Sequence, residues 1–311
     1  MSLFESGKFT AKDGSNIAYR VYGNEHASKL PLALINGLSA VMDDWHLMAK
    51  ALGKTRKVVL LDHRGIGEST LPEEGMEDYT IEVMGSDAME LVRSLNIKAV
   101  NLLGFSMGGL VVQGLLTHPD AKPSKNGGVE LHGVEIMRVI LTSTFTKLPS
   151  GEFHPTKIPQ RAENMPRDEY NRNVTEYMLS MQYAERDLYP GNPIYITYQQ
   201  RVARGGDAKR PQAIIASQLG AIAQFDSRES LAKIPRTLPV MVIHGKMDRM
   251  VAYAESEILM QHIQQAKRYI PNESSGKDVG AFGHMWFDYY NLKRDWVEPI
   301  NHFLDTPAAK L

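Results

Sequence analysis

A serine enclosed by glycines is the clearest sign of chemistry in this chain. In the stretch "VNLLGFSMGGLVVQGLL", residues 104–108 match the pattern G-x-S-x-G, between an apolar run typical of a strand and one typical of a helix. Glycine is unfavourable inside either element, so its repeated use here indicates a tight turn from strand to helix. Such a turn holds its serine in strained backbone angles and presents the hydroxyl group. Ser106 is therefore the candidate nucleophile.

A serine hydroxyl is a weak nucleophile unless a base activates it, and the chain offers 10 histidines. His284, in "VGAFGHMWFDYY", follows the last predicted strand in a loop that precedes the C-terminal helix. This places it at the carboxyl edge of a parallel sheet, where Ser106 also lies. His244 and His63 each end a strand, and we interpret both as structural. His284 is therefore the candidate base.

The base needs a carboxylate that fixes its tautomer and stabilises the imidazolium. Asp248, in "HGKMDRMV", lies a few residues past a predicted strand. The chain order Ser106, Asp248, His284 is the order that accompanies the G-x-S-x-G motif. Asp62 also ends a strand, but its setting in "LDHRGIGEST" indicates a structural turn. Asp248 is the candidate acid and Asp62 the alternative.

The predicted elements that must position these residues alternate regularly between strands and helices. Short apolar runs alternate with helical patterns, and the runs do not themselves alternate with polar residues, which is typical of strands buried on both faces. The runs are "LPLALING", "RKVVLLDHRG", "KAVNLLGFS", "MRVILTST" and "LPVMVIHG". The pattern predicts an α/β fold with a mostly parallel, doubly wound sheet. "GKFTAKDG" and "NIAYRVYG" predict an antiparallel hairpin at the N-terminal edge, turning at Asp13 and Gly14.

From about Phe145 to about Pro235 the chain has no strand-like apolar runs, and Met, Tyr, Arg and Gln are frequent. This pattern predicts several short helices joined by turns. An insertion between two core strands packs most simply as a cap over one end of the sheet. We therefore expect a core of residues 1–145 and 236–311 and a helical cap, or lid, of residues 146–235. The segment "PDAKPSKNGGVELHG" is polar and rich in glycine, and predicts a surface loop.

Composition excludes several classes of function. The net charge of −1 offers no basic surface for nucleic acid or for an anionic membrane. The absence of cysteine excludes disulfides, thiolate metal sites and a cysteine nucleophile. No apolar run reaches the roughly 18 residues that span a bilayer, and the N-terminus lacks the apolar core of a signal peptide. These features predict a soluble intracellular protein with no integral membrane segment.

The last three residues resemble a targeting signal. Ala309-Lys310-Leu311 resembles the peroxisomal tripeptide, of which Ser-Lys-Leu is the type form. The expectation is therefore a peroxisomal location reached through the peroxisomal import receptor. A cytoplasmic location is the alternative.

The motifs together resemble the α/β-hydrolase fold superfamily, in its cap-bearing serine hydrolase branch of esterases and lipases. The resemblance rests on "NGLSAVMDDW", "DHRGIGEST", "GFSMGG", "HGKMD" and "GHMWF", in that order along nearly the whole chain. It implies an oxyanion hole made by the backbone N–H groups of Leu38 and Met107. Met107 has independent support, because it opens a helix whose N-terminal donors favour an anion. Asn36 stands where relatives usually carry histidine.

The resemblance implies hydrolysis of a carboxylic ester or lactone through an acyl-enzyme on Ser106, with no cofactor and no metal. The expected pocket is apolar, which favours an uncharged, medium-sized small-molecule substrate. Its predicted lining residues are Trp45, Phe105, Met178, Met181, Met285 and Trp286.

Other activities share this arrangement of residues. The same triad serves thioesterases, acyltransferases, carbon–carbon bond hydrolases and aminopeptidases, although the HGGPG-type loop of proline iminopeptidases is absent here. Serine at the turn argues against haloalkane dehalogenases and epoxide hydrolases of this fold, which use aspartate there. Some relatives with an intact triad are small-molecule receptors, and a receptor is therefore the alternative function that is not enzymatic.

Overall fold

The computed structural model describes residues 3–72, 79–205, 209–271 and 279–307 of the 311-residue chain. Within these ranges, ten strands join in one sheet. The strands are β1 (Glu5–Thr10), β2 (Asn16–Tyr22), β3 (Leu32–Ile35), β4 (Val58–Leu61), β5 (Ala99–Phe105), β6 (Lys122–Pro123), β7 (Val129–Leu131), β8 (Val134–Thr142), β9 (Val240–Ile243) and β10 (Lys267–Arg268).

The sheet is parallel in its centre and antiparallel at its first edge. Its order is β1-β2-β4-β3-β5-β8-β9-β10, and every pair from β4 to β10 in that order is parallel. β2 pairs antiparallel with β1 and with β4. The hairpin turns at Gly14, whose φ of 88° is in the left-handed region, while Asp13 Oδ1 accepts a hydrogen bond from Ser15 N. The doubly wound sheet and its edge hairpin are confirmed.

Burial on both faces explains why the strand runs are continuously apolar. In β3, Leu32 and Leu34 pack into the cluster on one face of the sheet, whereas Ala33 and Ile35 pack into the cluster on the other. Successive side chains of a strand point to opposite faces, so both parities must be apolar when helices cover both sides. The hydrophobic core is therefore two layers that share one sheet.

Nine α-helices surround the sheet within the described residues. They are α1 (His46–Leu52), α2 (Ile81–Ser94), α3 (Met107–Thr117), α4 (Arg167–Gln182), α5 (Pro193–Gly205), α6 (Gln212–Gln224), α7 (Arg228–Leu231), α8 (Tyr253–His262) and α9 (Glu298–Asp305). Short 3₁₀ segments precede α1 (Met42–Trp45) and follow the sheet (Trp286–Asp288), and a π-helical segment (Leu292–Val297) leads into α9.

The insertion between β8 and β9 is helical, as the sequence predicts. It carries α4 to α7 and short 3₁₀ turns, with no strand among its described residues. Two arginines fasten it to the core. Arg201 Nη2 donates to Asp288 Oδ1 at 2.6 Å, and Arg210 Nη2 lies 3.0 Å from both carboxylate oxygens of Asp44. These ion pairs hold the cap helices against the loops at the carboxyl edge of the sheet.

The prediction of a surface loop over "PDAKPSKNGGVELHG" is wrong. The segment contains β6 and β7, which extend the sheet antiparallel beside the first half of β8. Val129 and Leu131 are buried, and His132 and Gly133 turn the chain with φ of 51° and 82°. Two residues with positive φ between alternating apolar positions are typical of a tight hairpin turn, and this signal was available in "VELHGVEI".

None of the helices in the described ranges is long and apolar enough to cross a membrane. The tripeptide Ala309-Lys310-Leu311 lies outside the described residues.

Candidate active site

Ser106 occupies a strained turn between β5 and α3. Its φ of 54° and ψ of −120° lie in a region that side chains rarely adopt. Three backbone contacts hold it there: Ser106 N donates to Thr142 O at 2.9 Å, and Ser106 O accepts from Gly109 N at 2.8 Å and from Thr144 Oγ1 at 2.7 Å. The surrounding structure therefore fixes the position of the serine.

The glycines around Ser106 are required by close packing. A Cβ atom at Gly104 would lie 2.6 Å from Gly108 O, and one at Gly108 would lie 2.1 Å from Ile35 O. A Cβ atom at Gly109 would lie 2.3 Å from Thr144 Oγ1. Only hydrogen fits at these three positions, so the motif lets α3 pack directly against the ends of β3 and β8.

The predicted base and acid are in contact. His284 Nδ1 donates to Asp248 Oδ2 at 2.7 Å, and both residues are buried. The carboxylate can only accept, so His284 keeps its proton on Nδ1 and leaves Nε2 as the acceptor. Ser143 Oγ donates to the carbonyl of His284 at 3.0 Å, and the Phe105 ring lies 4.8 Å from the imidazole. These contacts orient the ring.

Asp248 is an ionised carboxylate in a buried position. Burial raises its pKa, but the charge of His284 and hydrogen bonds from His244 and His284 outweigh burial and lower the pKa to about 2. The backbone N–H groups of Met250 and Val251 also donate to its Oδ1, at 3.0 and 2.9 Å. Asp248 is therefore negatively charged at any pH well above 2 and can stabilise a positive charge on His284.

His244 is a member of this network that the sequence analysis assigns to structure alone. Its Nε2 atom lies 3.2 Å from Asp248 Oδ2 and 3.0 Å from Val251 O, while its Nδ1 atom is buried without a partner in the described residues. Both neighbours of Nε2 are acceptors, so Nε2 carries the proton and donates. The two residues are four positions apart directly after a strand, but this spacing alone does not show that their side chains meet.

The loop after β3 is anchored from β4. Asn36 Nδ2 donates to Leu61 O at 2.7 Å, and His63 Nε2 donates to Asn36 O at 2.9 Å. Burial lowers the pKa of His63 to about 4, so its imidazole is neutral at neutral pH. The side chain of Asn36 thus holds the loop to the neighbouring strand. Gly37 packs close to Ser106, and Leu38 lines the cavity.

The same loop is also held by the cap. Gln218, on α6, is fully buried, and its Oε1 accepts from Ser39 N at 2.8 Å. Its Nε2 donates to the hydroxyl of Tyr79 at 3.1 Å, and Tyr79 donates to Arg64 O. Ser39 has a φ of 59°, so this contact stabilises a strained residue next to Leu38. The two partners are 179 positions apart in the sequence, so no local sequence signal could identify Gln218.

Met107 is the first residue of α3, so its backbone N–H is one of the donors that a helix N-terminus leaves without an intrahelical partner. Its side chain is fully buried in the core. Leu38, by contrast, lines the cavity. The two predicted oxyanion donors therefore belong to two separate segments, one to the loop after β3 and one to the start of α3.

A cavity of about 420 Å³ lies between core and cap, and Ser106 and His284 both line it. Asp248 lies behind His284. The walls are mainly apolar. The core contributes Leu38, Trp45, Phe105 and Met285, and the cap contributes Met178, Leu179, Leu219 and Ile222. Asp44 and Arg210 also line the cavity and are paired with each other. The site can therefore take an apolar group next to the serine.

Two residues predicted to line the pocket are not among the described residues that line it. Trp286 is fully buried in the core, with its ring 6.3 Å from that of Trp45 and 4.8 Å from that of Trp296, so that expectation is corrected. Met181 follows Met178 by three residues on α4, which rotates it by about 60° around the helix, away from the lining position.

Asp62, the alternative acid, serves the turn after β4. Its Oδ1 accepts from Met42 N at 2.7 Å and its Oδ2 from Glu68 N at 2.9 Å. Burial raises its pKa to about 6. Both oxygens are used by backbone donors, so Asp62 acts as a structural acceptor.

Comparisons with known proteins agree with this architecture. A family model described as the alpha/beta hydrolase fold matches residues 31–123. The 3-oxoadipate enol-lactonase 1 of Acinetobacter baylyi is 23% identical over 264 residues, which cover 85% of this chain and 88% of that protein.

Solved structures extend the likeness to the whole chain. A hydrolase from Pseudomonas aeruginosa has a TM-score of 0.72 at 23% identity and covers 97% of this chain and 99% of its own. An enol-lactonase from Burkholderia xenovorans has a TM-score of 0.71 at 22% identity, with coverage of 96% and 100%. The chain therefore has the α/β-hydrolase fold, and its residues 31–123 match the model of that family. Its substrate must be inferred from the site.

The close approach at Gly108 predicts a large effect of one methyl group. We expect Gly108→Ala to lower the free energy of unfolding by about 3 kcal/mol, because its Cβ would meet backbone oxygens that cannot move away. The matched control is Gly220→Ala on α6, where nothing lies within 4 Å, and it should be neutral or raise stability by up to about 1 kcal/mol. Denaturant unfolding measures both, and equal effects would contradict the packing argument.

The buried neutral His63 predicts a pH dependence of stability. Its folded-state pKa of about 4 is below the ordinary value of 6.5, so between these values the unfolded chain binds more protons. The free energy of unfolding should therefore fall as the pH drops from 6.5 towards 4, by about 1.4 kcal/mol per unit at most. His63→Gln keeps a donor for Asn36 O but cannot titrate.

The measurement is the difference in unfolding free energy between the wild type and His63→Gln. Between neutral pH and pH 4.5, the wild type should lose about 2–3 kcal/mol of unfolding free energy relative to His63→Gln. Asp62, whose buried carboxyl titrates near pH 6, is present in both proteins and cancels in the comparison. A difference that is independent of pH would show that His63 is not neutral and buried in solution.

Proposed function

We propose that this protein is a serine hydrolase that cleaves an uncharged, apolar carboxylic ester or lactone. One observation carries the proposal: a serine held in a strained strand-to-helix turn and the imidazole of a buried His284–Asp248 pair line the same apolar cavity. The superfamily supports hydrolysis as the general reaction, and two of the similar proteins are named as enol-lactonases.

In the first half-reaction, Ser106 Oγ attacks the carbonyl carbon of the substrate while His284 Nε2 takes the hydroxyl proton. The imidazolium that forms keeps its Nδ1 proton on Asp248 Oδ2, whose negative charge stabilises it. His284 then gives the proton to the departing alkoxide, and the acyl group remains on Ser106. In a lactone the leaving oxygen stays attached to the acyl chain, so nothing leaves the cavity at this stage.

The tetrahedral intermediate carries its negative charge on the former carbonyl oxygen. We propose that the N–H groups of Leu38 and Met107 bind this oxygen, because they flank Ser106 and belong to rigid segments. Removing one such donor in other hydrolases costs roughly 10²–10³ in kcat. The anchoring of the loop by Asn36, His63 and Gln218 therefore supports catalysis by keeping Leu38 in place.

In the second half-reaction, His284 Nε2 takes a proton from water, the hydroxide attacks the acyl carbon, and Ser106 is released with its proton returned by His284. The products are a carboxylic acid and an alcohol, or a hydroxy acid from a lactone. No redox step or external co-reactant other than water is needed.

The cavity supports the choice of substrate. Its volume of about 420 Å³ suits a medium-sized molecule, and most of its lining side chains are apolar. The one arginine among its described lining residues, Arg210, is paired with Asp44, so the pair brings no net charge to the wall. An ester with an apolar acyl group therefore fits better than a charged metabolite.

The triad predicts a steep loss of activity on substitution. We expect Ser106→Ala to abolish labelling by a fluorophosphonate probe and to lower kcat for p-nitrophenyl esters by about 10⁴ or more. His284→Ala should cost a similar factor because the residues act as a unit, and Asp248→Asn somewhat less. A matched control is Ser150→Ala, since this serine lines the same cavity but donates to Glu255.

The control should retain activity within about tenfold, and Ser106→Ala and Ser150→Ala should keep the wild-type unfolding midpoint within a few degrees. Near-full activity of Ser106→Ala would overturn the proposal. Loss of activity in Ser150→Ala but not in Ser106→Ala would indicate that Ser150 is the nucleophile. Parallel screens with lactones and acyl-CoA would distinguish esterase and lactonase activity from thioesterase activity.

His244 predicts a further, smaller effect that acts through Asp248. Removing its donor with His244→Leu should lower kcat by roughly tenfold, whereas His244→Gln, which keeps an N–H donor, should restore most of it. With one donor fewer, the Asp248 carboxylate is held less firmly and orients the His284 imidazole less well. Wild-type kcat in His244→Leu, or equal losses in His244→Leu and His244→Gln, would mean that His244 only fills space.

A further inference from the structure

Two histidines and an aspartate meet at the edge of the sheet that faces away from Ser106. His118 follows the last residue of α3, one helix length of about 16 Å from Ser106, and Asp120 lies two residues further. His132 comes from the turn between β7 and β8. This is the only group of three or more potential metal ligands among the residues that the structure describes. The proposed esterase mechanism makes no use of it.

The potential ligand atoms already lie close together. His132 Nε2 is 3.2 Å and His118 Nδ1 is 3.9 Å from Asp120 Oδ2, and one atom of each residue lies within 4.8 Å of the other two. Around a tetrahedral zinc ion with bonds of 2.0–2.1 Å, two ligand atoms are about 3.3–3.4 Å apart. Shifts of a few tenths of an ångström up to about 1.5 Å in exposed side chains would bring the three atoms onto one ion.

The three side chains are accessible. His118, Asp120 and His132 are 32%, 68% and 48% exposed, so an ion can enter and water can supply a fourth ligand. The present partners are replaceable. His118 Nδ1 accepts from Asp120 N at 3.1 Å, and His132 Nε2 contacts the Asp120 carboxylate. Binding would exchange these two hydrogen bonds for bonds to the metal.

We propose that His118, Asp120 and His132 form a binding site for a divalent transition-metal ion, with Zn²⁺ as the best match. Two imidazole nitrogens and one carboxylate oxygen are a donor set that Zn²⁺ takes readily, and Ca²⁺ or Mg²⁺ would instead prefer oxygen ligands. The ion would link the end of α3 to the β7–β8 turn. It would thereby fix the antiparallel extension formed by β6 and β7 onto the body of the sheet.

The test is calorimetric titration of ZnCl₂ into the untagged full-length protein, with thermal unfolding measured in parallel. We expect one ion per chain with micromolar affinity and a higher Tm in the presence of Zn²⁺. His132→Ala should weaken binding at least about tenfold and remove the Tm increase, because loss of even an outer-sphere partner of a metal costs 10- to 100-fold. Asp120→Asn should also weaken binding, because an amide oxygen is a poorer zinc ligand than a carboxylate.

His262→Ala is the matched control, because His262 lies on α8 outside the three-residue group and should leave the titration unchanged. Equal affinity in the wild type and in His132→Ala would overturn the proposal, as would no binding heat and no change of Tm in the wild type. Binding that His262→Ala weakens as much as His132→Ala would also overturn it. The readouts are independent of catalysis, so they stand apart from the proposed hydrolase activity.

Discussion

The contact of α3 with the carboxyl ends of β3 and β8 is the constraint on which the candidate site depends. Gly108 lies so near Ile35 that a methyl group would overlap its carbonyl, and Gly109 lies equally near Thr144. Ser106, the residue before this helix, has strained backbone angles in the turn that leads from β5 into it. Strain of this kind costs about 1–3 kcal/mol and persists where the surrounding structure over-determines it. Here the sheet itself supplies that support.

The second constraint is the cost of burying Asp248. A carboxylate in an apolar interior without partners would be strongly destabilised and would take up a proton. Four donors prevent this: two backbone N–H groups and the imidazoles of His244 and His284. Burial raises the pKa of Asp248, but the two histidines outweigh burial and lower it to about 2, so the carboxylate remains charged next to His284. The same hydrogen bonds that stabilise the fold also set the tautomer of His284.

The cap contributes more than a lid over the cavity. Gln218 on α6 donates and accepts within the core, and its contact with Ser39 holds the loop that carries Leu38. Arg201 and Arg210 pair with Asp288 and Asp44, which lie on segments bordering the cavity. A movement of α6 away from the core would therefore break a contact with the loop that carries Leu38. These few side chains therefore join the cap to the segments around the cavity.

The sequence by itself determined the fold class, the edge hairpin and the helical insertion, because each rests on local patterns: continuous apolar runs, glycines at required turns, and helical periodicity. The same locality identified Ser106, whose motif is five consecutive residues. His284 and Asp248 could be proposed because both follow strands whose ends share one sheet edge. Only the tertiary structure decided which side chains turn inward. It placed Trp286 in the core, gave His244 a contact with Asp248, and joined Gln218 to Ser39 across 179 residues. Such contacts depend on how helices pack over the sheet, and local spacing along the chain carries no record of that packing.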